Sequence, residues 1–355
     1  MHTNITDTMT LCIINYNGCH HLREAFAAIN KLPVTIGEIL VIDDASTDDS
    51  LEYLKNIATV NVTALHENIG PGGARNIGMQ KAKYDRILFQ DNDIKLAEGV
   101  IDSLSKALDN DPEALIAAPR VIYNSQPDTI QYESADCHFL GLMSLRNANT
   151  PRFTESTLTK TSSLVTACFM IDRSRWGNEK LFDESLIFNL EDHDLGVRAN
   201  LLGFNTLVVP EAEVLHGSGT EGLSYRPADT ISRTRMYCLI RNRWWIIFRY
   251  FSLRTIMLLS PALFVYEIVQ MLGLLFKGYQ REWLCALYDT FKHRRELVKQ
   301  RKYYQSIRQR ADRKILRGGS LPFTVAIKSN VVVEIAIKIF EASIFAYWFC
   351  AKKLL

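Results

Sequence analysis

The first hundred residues alternate between short apolar runs and longer segments with helical spacing. We predict that four apolar runs bounded by polar or turn residues are buried strands: Leu11–Ile14, Ile39–Ile42, Val60–Leu65 and Ile87–Phe89. Three helices are predicted between them, over Cys19–Lys31, Asp48–Ile57 and Gly72–Lys83. Strands that alternate with helices predict a mixed α/β fold, in which helices cover both faces of a mostly parallel sheet.

The alternation continues further along the chain. We predict a strand over Leu164–Ile171, a helix from Glu191 to about Leu202 and a strand over Thr206–Val209. Residues 120–160 are rich in turn-forming types and show no period that assigns them to an element.

The chain changes character after Tyr225. Residues 1–225 carry 31 Asp or Glu against 17 Lys or Arg, a balance of −14, whereas residues 226–355 carry 8 against 24, a balance of +16. We therefore predict an α/β domain over residues 1–225 and a basic, aromatic, helical region over residues 226–355. A basic half of this strength indicates an anionic partner, either membrane lipid or nucleic acid.

Two apolar segments of the basic region favour the membrane. Ile256–Phe276 is 21 residues long, which suffices to cross a bilayer, although Glu267 near its middle would cost about 3 kcal/mol there. Val331–Cys350 carries its charges on one narrow helical stripe, which is typical of a helix lying in the membrane interface. That stripe consists of Glu334, Lys338 and Glu341.

We predict that the basic region binds an anionic membrane surface, peripherally or by shallow insertion. Tryptophan and tyrosine beside lysine and arginine are typical of the headgroup level of a cytoplasmic leaflet. The alternative is a buried, soluble helical bundle. Nucleic acid is not an expected partner, because no recognition module accompanies the basic run.

The cysteines and the N-terminus indicate the compartment. The seven cysteines are scattered and contain no CxxC pair, which excludes a disulfide scaffold and a cysteine zinc site and fits a reducing environment. Met1–Thr10 is polar and offers no signal-peptide core. We expect the protein at the cytoplasmic face of the plasma (inner) membrane.

Acidic side chains collect at the ends of the predicted strands. Asp43 and Asp44 follow the second strand, and Asp91 and Asp93 follow the fourth, where ligands of open α/β sheets bind. A D-x-D pair at a strand end places both carboxylates on the same side of the chain, so it can hold a divalent cation. Asp43 and Asp44 can accept a hydrogen bond from the imide N–H of uracil or thymine. Solvated turns or helix caps would explain the same residues without a ligand.

A glycine-rich segment opens the third predicted helix. Gly70–Arg75 is not a dinucleotide fingerprint, because Arg75 stands where the third glycine would be. Arg75 can point at a phosphate or at the acidic strand ends, and a purely structural turn is the alternative.

A second acidic group opens the helix at Glu191. Asp192 is a candidate general base, because a carboxylate at a helix N-terminus is expected to stay ionised. Helix capping explains one acid of Glu191–Asp194 but hardly all three. His216 follows the last strand, and an isolated histidine is more often structural than a ligand.

Taken in order, these motifs resemble the inverting, nucleotide-sugar-dependent glycosyltransferases of the family-2 type, which have a GT-A fold. The resemblance covers about residues 9–220 and is greatest to bacterial rhamnosyl-, galactofuranosyl- and related transferases that build surface polysaccharides on lipid carriers. The segments that carry it are residues 12–17, 41–48, 73–78, 90–93, 191–198 and 208–216.

The resemblance implies a role for each matching residue. Tyr16 and Asp44 would hold the nucleotide base with Asp43 beside them, Arg75 would shape the nucleotide pocket, and Asp91 would lie near the ribose and the cation. The resemblance assigns a divalent cation, Mn²⁺ or Mg²⁺, to Asp91, Asp93 and His216. It assigns the general base and its acceptor-side neighbour to Asp192 and Glu191. It assigns contacts with the acceptor diphosphate to Arg241 and Asn242.

The expected reaction is a single displacement that moves a sugar from a UDP- or dTDP-type donor to a hydroxyl of a lipid-linked or polysaccharide acceptor. Transfer to a polyprenyl phosphate is one alternative. A catalytically inactive membrane adaptor that keeps the fold is another, although the joint presence of Asp44, Asp91, Asp93, Asp192 and His216 disfavours it.

Overall fold

The computed structural model describes residues 8–153, 157–177, 179–217, 231–319, 321 and 331–355. The strands are β1 Met9–Asn15, β2 Glu38–Asp43, β3 Val60–Ala64, β4 Arg86–Asp91, β5 Ile94–Leu96, β6 Ala114–Tyr123, β7 Gln126–Tyr132, β8 Ala135–His138, β9 Met143–Leu145, β10 Thr150–Pro151, β11 Thr159–Thr161, β12 Cys168–Asp172, β13 Asn205–His216 and β14 Leu316–Arg317. The helices are α1 Cys19–Ile29, α2 Ser50–Lys55, α3 Gly70–Lys81, α4 Val100–Asn110, α5 Arg173–Trp176, α6 Glu191–Leu201, α7 Arg233–Tyr250, α8 Leu253–Phe276, α9 Gln280–Lys292, α10 Arg294–Ser306, α11 Asp312–Ile315 and α12 Val331–Ala351.

The strands form one 11-stranded sheet and one three-stranded sheet. In the large sheet β1 lies between β2 and β4, β3 follows β2, and all three pairings are parallel. β12 pairs antiparallel with both β4 and β6, and β6 runs parallel to β13. The predicted mixed α/β fold with a mostly parallel centre is confirmed.

Helices cover both faces of the sheet, as predicted, because side chains alternate along each strand. Leu11 and Ile13 of β1 belong to a core that α1, α2 and α4 cover. Cys12 and Ile14 of the same strand belong to the opposite core, which α3 and α6 cover. The central strands are therefore buried on both sides, which explains their continuous apolar runs.

Three predicted strands differ from the structure in burial or length. The prediction that Val60–Leu65 is buried is wrong: β3 is the edge strand of the sheet, so Val62 is 39% exposed. β12 begins only at Cys168, because the preceding backbone turns to the site, where the Thr166 carbonyl accepts a hydrogen bond from Arg75. β13 extends to His216, because its second half pairs with β5.

The basic region packs against the α/β domain. Its strand β14 pairs with β8, Tyr250 of α7 donates a hydrogen bond to buried Asp194 of α6 (2.6 Å), and Arg249 pairs with Asp183 (2.7 Å). The predicted boundary at residue 225 lies outside the described residues. The helices beyond that boundary therefore support α6, and with it the candidate base.

The predicted apolar segments are the helices α8 and α12, which pack on each other through Leu263 and Ile344 among others. Of the helices in the described part of the chain, one, α8, is long and apolar enough to cross a membrane. Glu267 of α8 is paired with Arg243 (2.9 Å) and accepts a hydrogen bond from Trp283 (2.7 Å). The negative charge of Glu267, which would be costly inside a membrane, is therefore neutralised within the protein.

Candidate active site

The carboxyl ends of β1, β2 and β4 form the floor of the site, as the strand order predicts. The amide of Asn15, the last residue of β1, donates to the Asp43 carboxylate (2.7 Å) and accepts from Asn92 (2.7 Å). Asp43 also accepts a hydrogen bond from the Ser46 backbone N–H (2.9 Å). These contacts tie the three strand ends into one polar network.

Two aspartates and a histidine meet beside this network. Asp91 ends β4, Asp93 lies in the turn to β5, and His216 ends β13 beside that strand. One ligand atom of each residue lies within 4.8 Å of those of the other two. Nδ1 of His216 donates to the Gln131 side chain (2.7 Å), and Nε2 lies 3.4 Å from the Asp93 carboxylate. His216 stands more than a hundred positions after the two aspartates in the sequence, and the fold brings it to them.

The electrostatics of this cluster suit a cation. Burial raises the pKa of Asp91 despite the opposing charge of Arg75. Burial alone would lower the pKa of His216, but the hydrogen bond and charge of Asp93 outweigh it, so the net pKa is raised. Two carboxylates and an imidazole whose second nitrogen is already oriented are a donor set for Mn²⁺ or Mg²⁺. The predicted metal residues therefore fit the cation.

Arg75 connects the acidic strand end to helix α3. Its guanidinium donates to the Asp91 carboxylate and to the Thr166 carbonyl (3.0 Å), and it lies over the Phe182 ring. The side chain is buried. Of the two targets predicted for Arg75, the structure shows the acidic strand end.

The residues predicted for the nucleotide base lie at the other end of the floor. Tyr16 directly follows β1 and is half-buried. Asp44 accepts hydrogen bonds from the backbone N–H groups of Ile69 (2.8 Å) and Gly70 (2.9 Å), so it anchors the start of α3. Asp43 is fully buried and stabilises the strand ends through the hydrogen bonds described above.

The second acidic pair opens α6 beside the start of α3. A Cβ on Gly72 would lie in ordinary van der Waals contact with the Glu191 side chain, at 3.7 Å, so the starts of the two helices are neighbours. Burial raises the pKa of Asp192 to about 7, and the charge of Glu191 adds to this. Burial also raises the pKa of Glu191. The helix N-terminus does not hold the pKa of either acid at its ordinary value, because desolvation, and for Asp192 also the charge of Glu191, exceed the helix-end effect. A base poised near neutrality suits proton abstraction from a hydroxyl.

The loop before Glu191 is held by α7, and this corrects the prediction for Arg241 and Asn242. Both side chains are buried and donate to loop carbonyls rather than facing a substrate. Asn242 donates to the carbonyls of Leu186 (2.8 Å), Phe188 (3.1 Å) and Asn189 (2.7 Å). The loop needs this support because it contains left-handed residues, among them Asn189 and Leu190.

Sequence reasoning missed two residues of β7. Gln131 orients His216, and Tyr132 is buried where the charges of Asp91, Asp93 and Asp192 all act on it and, after burial, help to raise its pKa. Tyr132 therefore lies near both the Asp91, Asp93 and His216 cluster and the candidate base, and the region between these two groups is here called the cleft. No signal could have revealed these residues, because the segment around them has no clear period.

Comparison with known proteins finds similar glycosyltransferases. Residues 10–175 match the model of Glycosyl transferase family 2. The N-acetylglucosaminyl-diphospho-decaprenol L-rhamnosyltransferase of Mycobacterium tuberculosis is 25% identical over 271 residues, which are 68% of this chain and 87% of the relative.

Two solved structures share the fold. Staphylococcus aureus TarS 1–349 in complex with UDP-GlcNAc is 17% identical with a TM-score of 0.55, and the match covers 84% of this chain and 90% of that one. GalNAc-T7 with UDP, GalNAc and Mn²⁺ is 21% identical with a TM-score of 0.56, over 69% of this chain and 48% of that one. Residues 10–175 therefore form a glycosyl transferase family 2 domain, and the protein is a glycosyltransferase.

Proposed function

We propose that the protein transfers a sugar, with inversion, from a UDP- or dTDP-type nucleotide sugar to a hydroxyl of a lipid-linked or polysaccharide acceptor. The observation that carries this proposal is the proximity of the Asp91, Asp93 and His216 cluster to the buried acids Glu191 and Asp192. Asp91 acts on the pKa of Glu191, and Asp91, Asp93 and Asp192 all act on the pKa of Tyr132. The names of the similar proteins support a lipid-linked acceptor and a UDP-type donor.

Each group in the cleft has a task in this reaction. Asp91, Asp93 and His216 would hold a divalent cation, which neutralises charge on the departing diphosphate when it is bound. Arg75 keeps Asp91 in place. Asp192 takes the proton from the attacking acceptor hydroxyl, and an attack opposite the nucleotide inverts the anomeric centre.

Glu191 tunes this base. Its charge makes Asp192 harder to ionise, so Asp192 is a stronger proton acceptor once ionised. An adaptor without activity would have no use for this pair.

A donor panel tests the proposal. UDP-, dTDP- and GDP-sugars are incubated with Mn²⁺, Mg²⁺ or EDTA, and binding and release of the nucleoside diphosphate are measured. We expect cation-dependent binding of one donor and its loss in Asp93→Ala. A folded wild-type protein that binds no donor with either cation would refute the transferase and favour the inactive adaptor.

We also propose that the basic region lies on an anionic membrane surface at its cytoplasmic side. Six large apolar residues at intervals of four or seven positions are exposed along one face of α8. They are Leu253, Met257, Phe264, Ile268, Leu272 and Phe276. Flotation with phosphatidylglycerol vesicles should carry the protein upward, and phosphatidylcholine vesicles should carry less. Equal failure with both would contradict membrane attachment.

A further inference from the structure

An apolar groove lies between four helices of the basic region. Helices α7 and α8 form one wall, and α9 and α10 form the other. The groove has a volume of about 450 Å³, a size that is typical of small-molecule sites. Four of its large apolar side chains are exposed to solvent: Phe248, Leu253, Phe291 and Val298. An exposed apolar concavity of this kind indicates an apolar ligand.

The groove is one layer of side chains away from the loop that precedes the candidate base. Leu297 of the groove wall packs with Trp245 and Leu186 in a small buried cluster. The carbonyl of Leu186 is one of those held by Asn242, and α6 begins with Glu191 a few residues later. A ligand in the groove would therefore lie close to the acceptor side of the cleft.

Cationic side chains border the groove. Residues 294–302 contain five Lys or Arg and one Glu. The guanidinium of Arg294 lies over the Phe291 ring, 4.4 Å from its centroid, and Arg301 donates to the Phe248 carbonyl (2.7 Å). Apolar walls with arginines at the rim match an amphiphile that has a hydrocarbon chain and an anionic phosphate head.

We propose that this groove binds the polyprenyl chain of the lipid that carries the acceptor, with its phosphate next to Arg294. The inference rests on the proposed function and extends it, because it gives the lipid carrier its own binding site outside the cleft. The acceptor sugar would then be presented to Asp192 from the side of the 185–190 loop. An acyl chain of a membrane phospholipid is the competing occupant, and the experiment separates the two.

Photolabelling tests the proposal on the full chain. The probe is geranylgeranyl diphosphate with a diazirine on its terminal isoprene unit, presented in phosphatidylcholine nanodiscs. We expect crosslinks in residues 244–256 and 287–301. Val298→Glu should weaken probe binding about ten-fold, because it places a charge among apolar walls and beside an anionic ligand.

Two further variants distinguish binding in the groove from general contact with the membrane. Leu284→Glu makes the same kind of change at a residue that is 58% exposed, against 50% for Val298, and does not line the groove. It should leave probe binding unchanged. Val298→Trp, which fills the groove without adding charge, should weaken binding as Val298→Glu does.

Each other outcome overturns the proposal. Equal losses in Val298→Glu and Leu284→Glu would indicate general membrane contact. Displacement by inorganic pyrophosphate alone would show a site for the head group only, and displacement by an equal concentration of phosphatidylglycerol would show a phospholipid site. Donor binding in the same samples separates the two hypotheses: intact donor binding without groove crosslinks refutes the groove alone, whereas absent donor binding refutes the transferase.

Discussion

Replacing Glu191 with Gln should shift the pH dependence of sugar transfer toward acid. Burial raises the pKa of Asp192 to about 7, with the charge of Glu191 as the next contribution. An acid with this pKa is about one-tenth ionised at pH 6, half at pH 7 and nine-tenths at pH 8. If Asp192 is the base, log kcat/KM should rise with a slope of about one below pH 7 and level off above pH 8.

The size of the shift follows from the charges that act on Asp192. Glu191 raises its pKa and Arg75 lowers it. Two like charges about 6 Å apart at an effective dielectric constant of about 40 repel by about 1.4 kcal/mol, or roughly one pKa unit. In Glu191→Gln, Asp192 should be about half ionised at pH 6, so kcat/KM there should be about five times larger relative to its plateau.

Initial rates with varied acceptor, saturating donor and constant Mn²⁺ measure this between pH 5.5 and 9, with products separated chromatographically. Glu52→Gln, which removes an exposed acid of α2, is the control and should follow the wild-type profile. A flat wild-type profile, or the same acid limb in Glu191→Gln and wild type, would refute the assignment of the base and its neighbour.

Three further changes test the support of the site. Gln131→Leu removes the hydrogen bond that orients the histidine ligand, so half-maximal activation should need 10–100 times more Mn²⁺; an unchanged requirement would contradict the cation site. Asn242→Leu removes a hydrogen-bond donor from three carbonyls of the loop before α6, so kcat should fall at least ten-fold while the donor dissociation constant stays the same. Equal loss of activity and of donor binding would indicate unfolding instead. Gly196→Ala forces a Cβ to within 2.5 Å of neighbouring backbone and should lower the free energy of unfolding in urea by about 1–3 kcal/mol. The control Gly273→Ala, which has open space around it, should not lower it. Equal stability of the two variants would show that α6 can move.

The N-terminal half of the fold was predictable because its periodicity is local. β1, β2 and β4 are buried on both faces, so each is a continuous apolar run such as Ile39–Ile42. The apolar run of β3 has the same appearance, but it lies at the sheet edge. Whether a strand lies at the edge or in the centre of a sheet depends on the strand order, which the apolar run of one strand does not encode.

The members of the Asp91, Asp93 and His216 cluster were predictable from the sequence, but their arrangement in space was not. Asp91 and Asp93 form a local motif, whereas His216 joins them only because β13 pairs with β5. The contribution of β7 through Gln131 and Tyr132 had no sequence signal at all. Long-range pairing of short strands set these positions, and no local period reports it.

The described part of the basic region consists mainly of helices, and its link to the candidate base had no signal in the sequence. Composition indicated an anionic partner for residues 226–355, whereas Asn242 and Tyr250 show that α7 also supports the loop and helix that carry Asp192. A side chain that satisfies distant carbonyls looks the same in sequence as one that faces solvent. The directions of such hydrogen bonds emerge only when the chain is folded.

Donor binding and transfer by Asp192→Asn, measured side by side with wild type, test the central claim most directly. We expect the donor dissociation constant in the presence of Mn²⁺ to stay within about two-fold of wild type. The rate of transfer should fall by about 10²–10⁴-fold, because the amide cannot accept the hydroxyl proton. Transfer at the wild-type rate, or loss of donor binding together with transfer, would contradict the role of Asp192 as the general base.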